Sequence, residues 1–183
     1  MRPEPQGVLS IEVELVTGRG RRWWPRPGCV VSAGEEHTFA QLAEAVDRAF
    51  GRRDLDHLRM VVLPGGVEVS WSAWRDGPAF PGTRDGRRTR LGLLTPGNLF
   101  AYVFDLGADW THLCTVRRDP AVCPPALPTL RNGWGSAPAQ YSPEAVHDDP
   151  ASRPSGLPPL LPSWRQAARL DSCDPVHPSG GAV

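Results

Sequence analysis

The chain has 183 residues, suiting one domain or one domain with a tail, and its 20 basic and 20 acidic residues cancel to a formal charge of zero. That balance gives no reason to expect a strong non-specific attraction of the whole molecule to nucleic acid or anionic membranes, although local patches can differ. No apolar run is long enough to span a bilayer, and MRPEPQG lacks the apolar segment of a signal peptide, so a cytoplasmic protein with reduced thiols is expected.

From Val8 to Val16, Ile11, Val13 and Leu15 alternate with Ser10, Glu12 and Glu14, the period of a strand with one buried face. A second, interrupted strand follows through Arg21, Arg22, Trp23 and Trp24 to Cys29-Val30-Val31. Its prolines point to an edge or a bulge, and at least one tryptophan should face the core. Thr38 with Gln41 three residues on forms a capping box for a helix that ends at Gly51. Phe39, Leu42, Val46, Ala49 and Phe50 make its buried stripe, while Glu44, Asp47 and Arg48 are assigned to water.

Leu58 to Leu63 and Val67 to Trp71 read as short strands joined by Pro64-Gly65-Gly66. Residues 72 to 89 read as an exposed loop with Trp74 and Phe80 folded back as anchors. A turn at 91 to 97 then leads to a strand from Leu99 to Phe104, hairpinned with Leu113 to Val116. This order describes an α+β fold, specifically a β-grasp-like roll with one main helix on a mixed or antiparallel sheet. Beyond Asp119 lie thirteen of the twenty-one prolines. The expected division is therefore a domain over 1–118 and a Pro-rich, largely disordered tail over 119–183. Within that tail a short helix is expected from Ser163 to Leu170, able to dock on a partner.

The segments HTFAQLAEAVDRAFG, DLDHL and LGLLTPGNLFAYVFDLGADWTH resemble, in order and spacing, the pRiA-plasmid ORF-three-like family, which includes proteins labelled insertion-element passenger or TnpR-like. The family pattern of an aromatic, Asp-aromatic-Gly-Asp-Asp-Trp, one variable residue and His reads here as Phe104, Asp105, Leu106, Gly107, Ala108, Asp109, Trp110, Thr111 and His112. Ala108 replaces the first acidic residue of the adjacent pair, and Arg52 stands where an aromatic is usual. The resemblance implies a compact α+β domain found near plasmids and insertion elements, without a settled activity.

Three constellations could carry function. Asp105, Asp109 and His112 could form an acid–base site of a small hydrolase or nuclease-like enzyme, with Asp109 orienting His112. Alternatively the two aspartates accept backbone N–H bonds, Gly107 takes a positive φ, and Trp110 and His112 pack on one strand face. His112 and Cys114, with Cys123, His57 or His37, are candidate metal ligands but lack paired spacing. Arg21 and Arg22 beside the tryptophans, and Arg87, Arg88 and Arg90, could contact nucleic acid, or could simply be solvated. No nucleotide-binding, zinc-protease or serine-hydrolase motif is present. The expectation is a monomeric, cofactor-free, non-catalytic binding or accessory module, with a nucleic acid or a protein as possible partner.

Overall fold

The computed structural model describes residues 7–119 and 123–141. The fold is α+β: among the described residues nine strands form one mixed sheet, and one main helix lies across it. The strands are β1 (Val8–Gly18), β2 (Arg21–Arg22), β3 (Gly28–Gly34), β4 (Arg59–Val62), β5 (Glu68–Trp71), β6 (Arg84–Asp85), β7 (Leu99–Phe104), β8 (Trp110–Arg118) and β9 (Thr129–Trp134). The helix α1 (Phe39–Ala49) connects β3 to β4. The sheet order is β6-β5-β4-β7-β8-β1-β3-β9, with β2 attached to β1. Every pairing is antiparallel except β5 with β6.

Helix α1 forms where the capping box places it. The Thr38 hydroxyl accepts from the Gln41 N–H at 3.2 Å, and the Gln41 side chain accepts from the Thr38 N–H at 2.9 Å. Phe39, Leu42, Val46 and Phe50 are buried against Ile11, Val13, Leu15, Val31, Phe100, Tyr102 and Phe104 of the sheet. On the opposite face, Met60, Val62, Ala101 and Val103 form a smaller cluster covered by Phe80 and Leu106. Phe80 thus anchors the long loop as expected. Trp74 does not: it is 62 % exposed.

Several expectations are corrected. Asp47 is 2 % exposed, because it follows Ala43 by four residues and precedes Phe50 by three, which puts it on the buried stripe. Pro25 and Pro27 precede β3, which lies inside the sheet between β1 and β9. Trp23 and Trp24 lie outside any strand, and of the two only Trp23 packs on the core. The sheet also continues past Arg118. Strand β9 pairs antiparallel with β3, and the Trp134 indole N–H donates to the Arg26 carbonyl at 3.0 Å. The six residues of β9 are exposed, so main-chain hydrogen bonding rather than a buried face seats this edge strand, and hydropathy patterning gives no sign of it. The expected helix at Ser163 to Leu170 lies outside the described residues. No helix among the described residues is long and apolar enough to cross a membrane.

Candidate functional site

Two rows of side chains cross the helix-facing side of the sheet beneath the α1–β4 connection. One runs through the register partners Trp71, Arg59, Phe104 and Trp110. Gly18 lets Trp110 lie flat, since a Cβ there would come within 2.0 Å of the indole ring. The adjacent row runs through Val61, Tyr102, His112 and Leu15. Helix α1 closes over these rows, and residues 50 to 58 return across them.

The turn cluster expected around Asp105 is rearranged. Asp105 Oδ1 accepts from the N–H groups of Gly107 and Ala108 at 3.1 and 3.3 Å, so it holds the turn as the structural alternative requires. The left-handed backbone falls on Asp105 (φ 54°) and Asp109 (φ 53°) rather than on Gly107, a conformation short polar side chains tolerate. Asp109 accepts from the Thr111 hydroxyl at 2.8 Å, and burial raises its carboxyl above the usual value.

His112 is not oriented by Asp109. Its Nδ1 lies 3.1 Å from the Tyr102 carbonyl oxygen, to which it donates; the ring packs against Tyr102 and Phe50. The residue is 1 % exposed, and burial, reinforced by the Arg52 charge, pushes the imidazole down to about 3. His112 is therefore a neutral core residue at physiological pH, sealed from any substrate.

Asp105 instead faces His57, with Oδ2 3.4 Å from Nδ1. On the other side of the ring, Nε2 lies 3.4 Å from Asp54 Oδ2 and 2.9 Å from the Tyr141 hydroxyl. That hydroxyl donates to Asp54 at 2.6 Å, which raises the phenol to about 12 and lowers the Asp54 carboxyl. Gln140 completes the clasp: its carbonyl oxygen accepts from the Arg53 and Asp54 N–H groups at 2.9 and 3.2 Å, and its amide donates to the Asp54 carbonyl at 2.8 Å. The segment after β9 is thus fastened onto the α1–β4 connection. Sequence reading missed this contact because its partners are more than eighty residues apart.

The larger finding is a cleft of about 380 Å³ between α1 and the loop after β5. Ala40, Glu44, Asp47 and Arg48 of α1 form one wall, Trp71, Ser72, Ala73 and Arg87 another, and Arg52, Leu55 and Arg59 join them. Arg59 Nε bonds Asp47 at 3.0 Å, and the Tyr102 hydroxyl donates to the other Asp47 oxygen at 2.6 Å. Burial raises the Asp47 carboxyl against the pull of Arg59 and Tyr102. Arg87 is tied to the carbonyls of Arg75 and Gly77 and to Asp85.

Arg52 differs. It is 6 % exposed and its guanidinium carbon lies 3.9 Å from the centre of the Trp110 ring and 5.8 Å from that of Phe104. All three of its guanidinium nitrogens are buried without a hydrogen-bond partner among the described residues. Burial lowers it to about 10, although Asp47, Tyr102 and Asp105 pull the other way.

The remaining candidates do not converge. Arg21 and Arg22 pair with the end of β1, whereas Arg87, Arg88 and Arg90 lie near β6 at an edge of the sheet, so the two arginine groups form no common patch. Arg88 is within 3.9 Å of Asp85. His112 and Cys114 share the helix-facing side as their alternation requires, but both are buried and Cys123 is exposed. Burial pushes the Cys114 thiol up and the Cys29 thiol to about 12. His37 is engaged by the Gly34 N–H and lies 3.2 Å from the Ala126 carbonyl. Among the described residues no three His, Cys, Asp or Glu side chains are grouped as a metal would need.

No family model and no curated protein matches the chain. Among solved structures it is similar to a protein of unknown function from Methanosarcina mazei Go1, with a TM-score of 0.55 and 16 % identity over 72 % of this chain and 71 % of that one. That likeness bears on the fold alone.

Proposed function

We propose that this protein is a non-catalytic binding module of the pRiA-plasmid ORF-three-like type, built on a β-grasp-like roll, and that its ligand enters the cleft between α1 and the loop after β5. The β-hairpin, helix and further strands in that order support the fold reading, and the segments from His37 to His112 support the family reading. One observation carries the functional reading. A buried guanidinium with no hydrogen-bond partner among the described residues lies on the wall of a concave site, and such an arrangement is costly unless something offsets it. The acid–base alternative loses His112 to the core. What is left to it is Asp105 with His57, a pair held by a contact of 3.4 Å.

The test is a small-molecule screen by ligand-observed NMR on the full chain, repeated on Ala73→Trp. Ala73 is an exposed cleft residue, so a tryptophan there fills the cleft without disturbing the core. Ligands that bind the parent chain and are lost from the variant are expected. Ligands that bind both equally, or no ligand for either, would contradict the proposal.

A further inference from the structure

The charge pattern of the cleft selects a ligand class. Four arginines line it, Arg48, Arg52, Arg59 and Arg87, against two acids, Glu44 and Asp47. Asp47 is committed to Arg59 at 3.0 Å, and Arg87 has Asp85 at 3.4 Å. Among the described residues, neither Arg48 nor Arg52 has a carboxylate at ion-pair distance. Arg48 is exposed at the mouth, while Arg52 is held beneath by the Trp110 face and the neighbouring Phe104.

Asp47 and Asp105 act on Arg52 from a distance and the Trp110 face lies against it, but among the described residues nothing hydrogen-bonds its guanidinium; a buried cation so placed is costly, and a guanidinium is not relieved by losing its proton near neutral pH. Its nitrogens are closed to water, so its field acts through the wall into a partly enclosed space, where it is weakly screened. The donors left for a guest are those of Arg48 and the Nη2 of Arg59, whose Nε is bonded to Asp47 and whose Nη1 is bonded to the Leu55 and His57 carbonyls at 3.1 and 3.2 Å. Resting on the reading of the cleft as a binding site, we propose that it takes a small oxyanion-bearing molecule, a phosphate ester or a carboxylate, whose charged group sits between Arg48 and Arg59 and supplies the counter-charge that Arg52 lacks.

The experiment follows the thermal unfolding midpoint of the full chain in inorganic phosphate, in acetate and in chloride at matched ionic strength, for the parent and for Arg48→Gln, Arg52→Met and Arg117→Gln. A rise in phosphate or acetate that saturates with concentration is expected, because a ligand that binds only the folded state stabilises it by mass action. Response to phosphate marks a phosphorylated ligand, and response to acetate marks a carboxylate. Arg48→Gln and Arg52→Met should each lose most of the response, while Arg117→Gln, outside the cleft, keeps it. Arg52→Met should also match or exceed the parent midpoint in chloride, since it removes an uncompensated buried charge. No rise above chloride in the parent, or the full rise retained in Arg48→Gln or in Arg52→Met, overturns the proposal. Neutral ligands that Ala73→Trp excludes, with no response to either anion, would overturn the oxyanion inference and leave the binding function standing.

Discussion

Asp47→Ala should lower the unfolding free energy by about 3–5 kcal/mol, the cost of removing one partner from a buried ion pair. In the native protein the carboxylate divides its two oxygens between Arg59 Nε and the Tyr102 hydroxyl. Its loss leaves a second cation uncompensated in the same wall and a buried hydroxyl without an acceptor. Against a typical total stability of about 5–15 kcal/mol this is a large fraction. Urea unfolding of the variant, with the denaturant dependence unchanged, checks it. A loss below about 1 kcal/mol would mean that the pair is open to water.

The second large effect is a pH dependence centred on His112. The unfolded chain takes up a proton on this imidazole at its ordinary value of 6.5, whereas the native protein does so only near 3. Protons therefore favour the unfolded state throughout that window. The stability that neutral His112 supplies is present above pH 6.5, falls as the pH drops, and is gone near pH 3, with a slope of up to about 1.4 kcal/mol per pH unit. Asp47 contributes with the opposite sign, because burial raises its carboxyl. The informative quantity is therefore the difference between the parent and His112→Gln. At pH 7 the variant should be less stable by about 1 kcal/mol or more, through the altered contact with the Tyr102 carbonyl. Toward pH 4 that gap should close and reverse. Parallel curves from pH 7 to pH 4 would show that His112 titrates freely and belongs to an accessible site.

Much of the architecture was legible because it rests on local signals. The capping box at Thr38 and Gln41, the alternation of β1 and the apolar strand β7 each express a period or an end signal within a few residues. Strand β9 lacks such a signal, since it is held by main-chain bonds to β3 and buries no face. Asp47 departs from its expected exposure for a related reason: a carboxylate on a helix reads as solvated unless its partners are known, and those partners come from β4 and β7. One clue lay in Arg59, a charged residue opening an otherwise apolar strand and so in need of an acid.

The candidate site was less legible than the fold. Sequence proximity grouped Asp105, Asp109 and His112, but strand alternation sends His112 inward while the turn sends Asp105 toward His57. Arg52 stood out only as a departure from a family pattern. Its meaning depends on Trp110 and on the cleft wall, which the fold brings together from α1, β4 and the loop after β5.

Binding of an anion in the cleft should be felt at Arg52, the buried cation in its wall. The most direct test is to follow the Arg52 Nε–H resonance by NMR while inorganic phosphate, and in a second series acetate, is added to the full chain. A resonance protected from solvent exchange, shifting saturably with one of the two anions while that of Arg117 stays fixed, is the predicted result. An Arg52 resonance unmoved by both anions, or one exchanging as fast as that of exposed Arg117, would contradict it.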